Sequence, residues 1–473
     1  MAHCLTDPAL WRLPIIRNKF ACLIILKTSV KANLRRTRAE PAQNPRRTRA
    51  EPAQNPRRTR AEPAQIRNAL LLFLVSWLLV ASAYSGAVSS TSGITGLDFA
   101  SFYQAAGRMN AGQTLYQPHL DPSLRGGLYV YSPLLALLLR PLAHFPFHTA
   151  VKAWFFVNAA SLVLAVLLYG AAARLTLRAA PLLAILLLVS FRFWDSTMNF
   201  GMGQSNSLML ALIGAMLWAD SRGRWRRLGA LIALAALVKI WLIGMLLALV
   251  LRRRWSDALL SLGLFVVGQA VLFTLIGWSE FPGYLRCMGQ AKAFGEEHGV
   301  MNSILGFAHL HLHANPIVFP LIDSTTGYVA FVALCGAGVL WGFAVLWRVL
   351  RNPSPLQARL SFGLVLASVL LLLPSYENGY LVYCFPLLWT LLASADADGE
   401  HSVPVSRFML TGGILVYLIF SRAWPVYAPF PPAYQHGLRS LVVSMSFYGT
   451  AMLWGIGFYC LHKLRSVRHA IPN

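Results

Sequence analysis

From Asn68 to Leu461 the chain alternates apolar runs, several about 20 residues long, with short clusters of arginine. That alternation leaves few folds open. A run of this length spans the ~30 Å hydrocarbon core as a helix, and arginines between runs read as the loops of a polytopic membrane protein, gathered on its cytoplasmic side. Charged residues make up only 12% of the 473 positions, where a soluble chain carries about 25%. The formal charge of +24 resembles a nucleic-acid signal, but its distribution excludes that reading. Residues 1–67 hold 15 Arg or Lys against four Asp or Glu, and the remaining excess lies mostly between apolar runs. The six cysteines form no CxxC and read as free thiols.

Residues 1–65 read as a separate region, a disordered basic arm. Arg-Arg-Thr-Arg-Ala-Glu-Pro-Ala-Gln-Asn-Pro runs from Arg35 to Pro45, recurs from Arg46 to Pro56, and begins a third time at Arg57. The recurring proline prevents a continuous helix and no apolar face offers burial. Phe20–Leu26 is too short to span, and no small-residue cleavage site marks a signal peptide.

Residues 66–473 form the expected membrane domain. Placing every basic cluster inside requires two adjustments. Tyr131–His144 must dip into the membrane from outside rather than cross it. Leu228–Leu251, flanked by Arg226-Arg227 and Arg252-Arg253-Arg254, must fold into a hairpin of two short helices turning near Lys239. Each arm of about 12 residues is ~18 Å long, so Lys239 ends in a recess. The sum is an all-α bundle of about twelve crossing or near-crossing helices, both termini cytoplasmic, with a re-entrant segment in the first outer loop.

This topology gathers polar residues on the outer side. Asp98 opens a stretch with apolar residues at Phe99, Phe102, Tyr103, Ala106 and Met109, a helical spacing. It reads either as the N-cap of that helix or as a catalytic base. Tyr131, Asp195, Asn199, Gln204, Asn206, Lys239, Asn302, Tyr376 and Glu377 fall on the same side. Polar groups at membrane depth cost several kcal/mol unless they line a cavity or find partners, so one shared outward-facing cavity is the economical reading. Lys239 either snorkels and neutralises a carboxylate, with Glu377 a candidate, or receives a lipid-linked phosphate. Gln204 and Asn206 either hydrogen-bond a sugar or bridge helices. His309, His311 and His313 alternate as on a strand-like loop that brings three imidazoles together. No phosphate-binding loop, dinucleotide fingerprint, HExxH or GxSxG element occurs, so no cofactor is expected.

Taken in order, the landmarks Asp98-Phe99-Ala100-Ser101-Phe102-Tyr103, Tyr131-Ser132-Pro133, Gly203-Gln204-Ser205-Asn206, Leu237-Val238-Lys239, Asn302-Ser303 and Pro374-Ser375-Tyr376 resemble glycosyltransferase family 87. The resemblance covers about Asn68 to Ala393. It implies a GT-C membrane enzyme that transfers a hexose, mannose in the family's pattern, from a polyprenyl-phosphate sugar to a glycolipid or polysaccharide on the outer face of the cell membrane. It further implies inversion with Asp98 as general base and Lys239 near the donor phosphate; from their place on the shared outer face, substrate contacts are also expected at Gln204, Asn206, Tyr131, Asn302, Tyr376 and Glu377. Two positions depart from the family's pattern. Ser132 stands where proline is frequent, and Tyr376-Glu377-Asn378 stands where Trp and His are usual. The competing class is a transporter or flippase of lipid-linked sugars, which predicts polar residues through both membrane halves and internal repeats.

Overall fold

The computed structural model describes residues 63–89, 94–117, 127–298, 302–315, 317–374, 378–396, 407–420 and 434–470. Residues 1–62 of the basic arm lie outside these residues, as do Tyr376 and Glu377, while its last three, Pro63–Gln65, belong to the first helix and shorten the expected arm. Among the described residues every regular element is a helix. In chain order these are α1 (Pro63–Ser89), α2 (Leu97–Asn110), α3 (Pro133–Leu139), α4 (Phe147–Ala172), α5 (Ala180–Arg192), α6 (Trp194–Met202) and α7 (Asn206–Ser221). Then come α8 (Trp225–Val238), α9 (Leu246–Leu251), α10 (Trp255–Ile276), α11 (Phe281–His298), α12 (Ile304–Leu312), α13 (Thr325–Val349), α14 (Pro355–Leu372), α15 (Phe385–Asp396), α16 (Arg407–Phe420) and α17 (Met445–Ala470).

Of about twelve expected crossings, six helices among the described residues are long and apolar enough to cross a membrane alone. A seventh span results if Leu177–Arg192 and Trp194–Met202, bent by 59°, count as one. The rest of the apolar sequence lies in short helices such as Ile240–Leu251, Gly379–Ser394 and Leu410–Ile419. The expected dip takes the form of the seven-residue α3 and a 3-10 turn at Leu142–His144.

The expected hairpin is present. α8 stops at Val238, Lys239 takes an extended conformation (φ −120°, ψ 101°), and a 3-10 segment Ile240–Met245 leads into α9. The chain folds back on itself, because a Cβ built on Gly229, early in α8, would lie 3.8 Å from Leu249 Cδ1, late in α9. Ser132 supplies a reason for the stop. Its hydroxyl donates to the carbonyl of Leu237, one of the last-turn carbonyls of α8 that lack a partner within the helix.

The bundle has two chemically different ends. Arg252 pairs with Asp220 at 2.6 Å, Arg224 lies over Trp218, Arg254 over Trp225 and Arg253 over Trp347. The arginine loops after α7 and α9 therefore meet at one end. α7 runs ~24 Å away from that end at 1.5 Å per residue, and its start adjoins the first turn of α2 through Gly96 N–H donating to the Gly201 carbonyl at 3.0 Å. Trp154 Nε1 donates to the Gly203 carbonyl at 2.7 Å, bringing the early part of α4 to the same place.

The histidine run does not form a strand-like loop. Ser303 accepts the Gly306 N–H at 3.0 Å and caps a helix over Ile304–Leu312, where a period-two pattern points side chains in different directions. His311 is buried against the Phe307 ring, 4.7 Å between centroids, with a ring nitrogen 2.8 Å from Ser444 Oγ. His309 and His313, by contrast, stand 5.9 Å apart, ring to ring. Burial pushes the His311 pKa down to about 4 from its ordinary 6.5. The unfolded chain then takes up this proton at higher pH than the folded one. The stability contribution is complete above pH 6.5 and is lost as pH falls toward 4, with a slope approaching ~1.4 kcal/mol per pH unit. Thermal unfolding of the wild type between pH 6.5 and 4 should therefore steepen relative to His311→Gln. Parallel pH profiles for the two proteins would remove this role.

Candidate active site

The site is built where α2, the segment before α3, the α6–α7 turn, the Lys239 break and the 3-10 helix Asn378–Cys384 converge. Its first member corrects the sequence reading. Gly96, in the left-handed region at φ 54°, is the N-cap of α2, and Asp98 lies inside the first turn with no side-chain cap in place. The carboxylate still benefits from the positive end of the helix dipole, but it reaches across to Gln204, whose Nε2 donates to Asp98 Oδ2 at 2.7 Å. Gln204 Oε1 in turn accepts from the Tyr131 hydroxyl at 3.3 Å. Opposite roles at the two ends of the side chain fix the amide's orientation. The contact to a carboxylate is the stronger one, about 1.5–3 kcal/mol for a charged partner.

Gly203 makes this contact geometrically possible. It holds φ 73° at the end of α6, and a Cβ there would lie 2.6 Å from the Phe99 Cβ. No residue but glycine lets the turn carrying Gln204 approach α2 so closely. Phe99 and Phe102 turn inward, against Trp154 (5.8 Å) and Tyr131 (4.9 Å) respectively, and set the rotation of α2. Tyr103 and Asn110 fasten its outer side to the dip through the Phe145 and Arg140 carbonyls, at 2.7 and 3.1 Å.

The second half of the site surrounds Lys239, only 3% exposed. Its Nζ donates to Asn206 Oδ1 at 2.7 Å and lies 4.3 Å from the Tyr380 ring centroid and 5.2 Å from that of Tyr131. A desolvated cation on aromatic faces gains about 2 kcal/mol, which offsets part of the cost of burying it. Tyr131 thus belongs to both halves, its hydroxyl on Gln204 and its ring beside Lys239. Asn206 Oδ1 also accepts from the Tyr383 hydroxyl at 2.8 Å, while its Nδ2 donates to Asn199 Oδ1 at 2.9 Å and to the Gly379 carbonyl at 3.1 Å. Asn199 Nδ2 closes the ring onto the same Gly379 carbonyl at 2.9 Å.

Tyr380 and Tyr383 were not singled out in the sequence. In a 3-10 helix residues three apart eclipse, so the turn over Asn378–Cys384 puts both rings on the lysine side, 5.6 Å apart and both against Trp241. Asn302 lies at the head of α12, whose Ile304 packs with Val339, Leu371 and Phe447. Asp195, placed on the same side by the sequence, is fully buried one turn before Asn199, and neither carboxylate oxygen has a hydrogen-bond partner among the described residues.

A third, aromatic layer stands behind Tyr131. The Tyr116 hydroxyl donates to the Tyr131 carbonyl at 2.7 Å, and the Tyr116 N–H donates to Glu280 Oε2 at 3.2 Å. Burial lowers the Arg108 pKa and raises that of Tyr284 to about 12, so at neutral pH the phenol stays protonated.

The sequence model of glycosyltransferase family 87 matches residues 129–374, just over half the chain, and the chain belongs to that family. It is a membrane glycosyltransferase, built from helices and acting on a sugar donor and an acceptor. No curated protein matches it. The matched stretch contains Tyr131, Gln204, Asn206, Lys239 and Asn302, but begins after Asp98 and ends before Tyr376. The Gln204 hydrogen bond therefore joins Asp98 to the family's core.

Replacing Gly203 by alanine forces the 2.6 Å contact and strains a left-handed residue. We expect the α2–Gln204 contact to open, transfer to fall at least about tenfold, and stability to drop by ~1–3 kcal/mol. Wild-type transfer rates by Gly203→Ala would show that the close approach is dispensable.

Proposed function

We propose that the protein catalyses an inverting transfer of a hexose, mannose by the family's pattern, from a polyprenyl-phosphate sugar to a hydroxyl of a glycolipid or polysaccharide. The observation that carries this reading is the 2.7 Å hydrogen bond by which Gln204 holds the Asp98 carboxylate at the site end of the bundle. An ionised carboxylate offers about four lone-pair positions over two oxygens, so accepting from Gln204 leaves capacity for an acceptor hydroxyl. Asp98 takes the hydroxyl proton as the acceptor oxygen forms its bond to the anomeric carbon. The bond from that carbon to the phosphate oxygen breaks, and polyprenyl phosphate leaves with the electron pair.

Charge builds on the departing phosphate, and Lys239 is the cation available beneath it. Its side chain is held by Asn206 and two tyrosine rings, so its part is to set a positive potential in a place from which water is excluded, where such a field acts most strongly. Tyr131 couples the two halves, so the base and the cation keep one spacing. Glu377 and Tyr376, beyond the described residues, remain candidates for acceptor contacts on the same side. The reaction centre suits a donor with an apolar tail and a charged head, whose scissile bond lies at the membrane surface. The positive-inside rule puts the arginine end in the cytoplasm and the Asp98 end on the outer face of the cell membrane.

Asp98→Asn keeps the Gln204 contact through its amide oxygen and removes the base. With radiolabelled polyprenyl-phosphate-mannose and a glycolipid extract, we expect transfer to drop by a factor of at least about 10² while the protein's melting temperature holds. Equal transfer by the two proteins would sink the assignment. Sidedness is checked separately: a cysteine at Gly223 should resist an impermeant thiol reagent in intact cells, and its labelling from outside would invert the topology.

A further inference from the structure

The end of the bundle remote from Asp98 carries a feature that sugar transfer does not use. Two helix-to-helix turns have the same sequence pattern, Arg222-Gly223-Arg224-Trp225 and Arg252-Arg253-Arg254-Trp255. They also have the same backbone. Arg224 N–H donates to Ala219 O and Gly223 N–H to Asp220 O; Arg254 N–H donates to Leu249 O and Arg253 N–H to Val250 O. This double closure is a Schellman turn, and its central residue must be left-handed. Glycine fills that place at Gly223 (φ 63°), whereas Arg253 fills it at φ 60°. A long side chain in the left-handed region is unfavourable; Arg253 adopts it where its twin turn has glycine, as Arg174 does after α4 (φ 57°), so what marks this turn out for a use of the guanidinium is its surroundings.

The surroundings indicate what that use is. The guanidiniums are stacked on indoles, Arg224 on Trp218 at 4.9 Å, Arg253 on Trp347 at 4.7 Å and Arg254 on Trp225 at 5.1 Å. Such stacking holds the cations in place. α8 and α10 both start at these turns with no side-chain cap on Arg224 or Arg254, and uncapped helix starts favour anions. Of the acidic groups nearby, Asp220 is paired with Arg252, whereas Asp257 lies in the first turn of α10 and offsets part of the positive end of that helix, so the arginines carry most of the attraction. Directly beyond the arginines, α10 exposes Trp255, Leu259, Leu260 and Val266. A cationic cradle continuous with an apolar helix face matches an anionic headgroup and its acyl chains together, and not a free anion.

We propose that the paired Arg-x-Arg-Trp turns form a binding site for the phosphate headgroup of an anionic membrane phospholipid, its acyl chains lying along α10. The site is independent of the transfer chemistry and lies in the opposite leaflet.

The test uses the purified full-length protein in neutral detergent, with dioleoylphosphatidylglycerol and dioleoylphosphatidylcholine as probes and lipid adducts counted by native mass spectrometry. The wild type should prefer the glycerol lipid, by about fivefold for each arginine engaged. Arg224→Gln with Arg254→Gln should reduce that preference by more than an order of magnitude. Arg253→Gly keeps the backbone and should weaken the anionic lipid about fivefold, while the melting temperature without lipid holds or rises. No preference in the wild type, or an unchanged preference in both variants, would overturn the site. Displacement of the lipid by millimolar inorganic phosphate would overturn the lipid assignment in favour of a free anion.

Discussion

The Gln204 amide is the joint on which the site depends. A primary amide donates and accepts at the same time, and here it donates to a carboxylate on α2 and accepts from a phenol ahead of α3. A glutamate could not donate to Asp98 and would repel it, and a lysine could not accept from Tyr131. Asn206, two residues on, repeats the device with Lys239 and Tyr383 on its oxygen and Asn199 and Gly379 on its nitrogen. Two amides at the start of one helix therefore tie together α2, the segment before α3, the Lys239 break and the 3-10 turn at Gly379.

Much of the architecture was legible from charge and hydropathy alone. The turn near Lys239 followed from arginines on both flanks of Leu228–Leu251, and the separation of arginine end from site end followed from the same placement. Detail within the turns was not legible. Asp98 reads as a cap because Asp favours that role, but Gly96 reaches the left-handed region and starts the helix earlier. Alternating histidines suggest a strand until Ser303 is seen capping a helix. A spacing of three puts Tyr380 and Tyr383 on one face of either kind of helix, but nothing in the residue types says that this face meets Lys239. Ser132 looked like a loss of proline, and only its hydroxyl on Leu237 shows what the substitution contributes.

Irregular backbone marks the site throughout. Phe193 separates two helices bent by 59°, Lys239 interrupts another pair, and 3-10 turns follow Lys239 and precede Phe385. In hydrocarbon, broken helices are tolerated only where protein or a cavity takes up the freed backbone groups. The Gly379 carbonyl shows how that is done here, since two asparagine amides donate to it. The same breaks that raise the difficulty of folding in a membrane put polar side chains where a reaction can use them.

The order of residues in the polar network has a consequence for how the protein comes into being. Asp98 is made early, Gln204 more than a hundred residues later, and Tyr383 beyond the end of the matched region. Contacts so distant in sequence form slowly, because their loop-closure entropy is met before they stabilise anything. While the ribosome is still adding α8 to α14, the lysine at the hairpin tip has Asn206 but not its tyrosine neighbours from the later turn. The nascent chain therefore enters the membrane with this polar network incomplete, and the network closes only with the last third of synthesis.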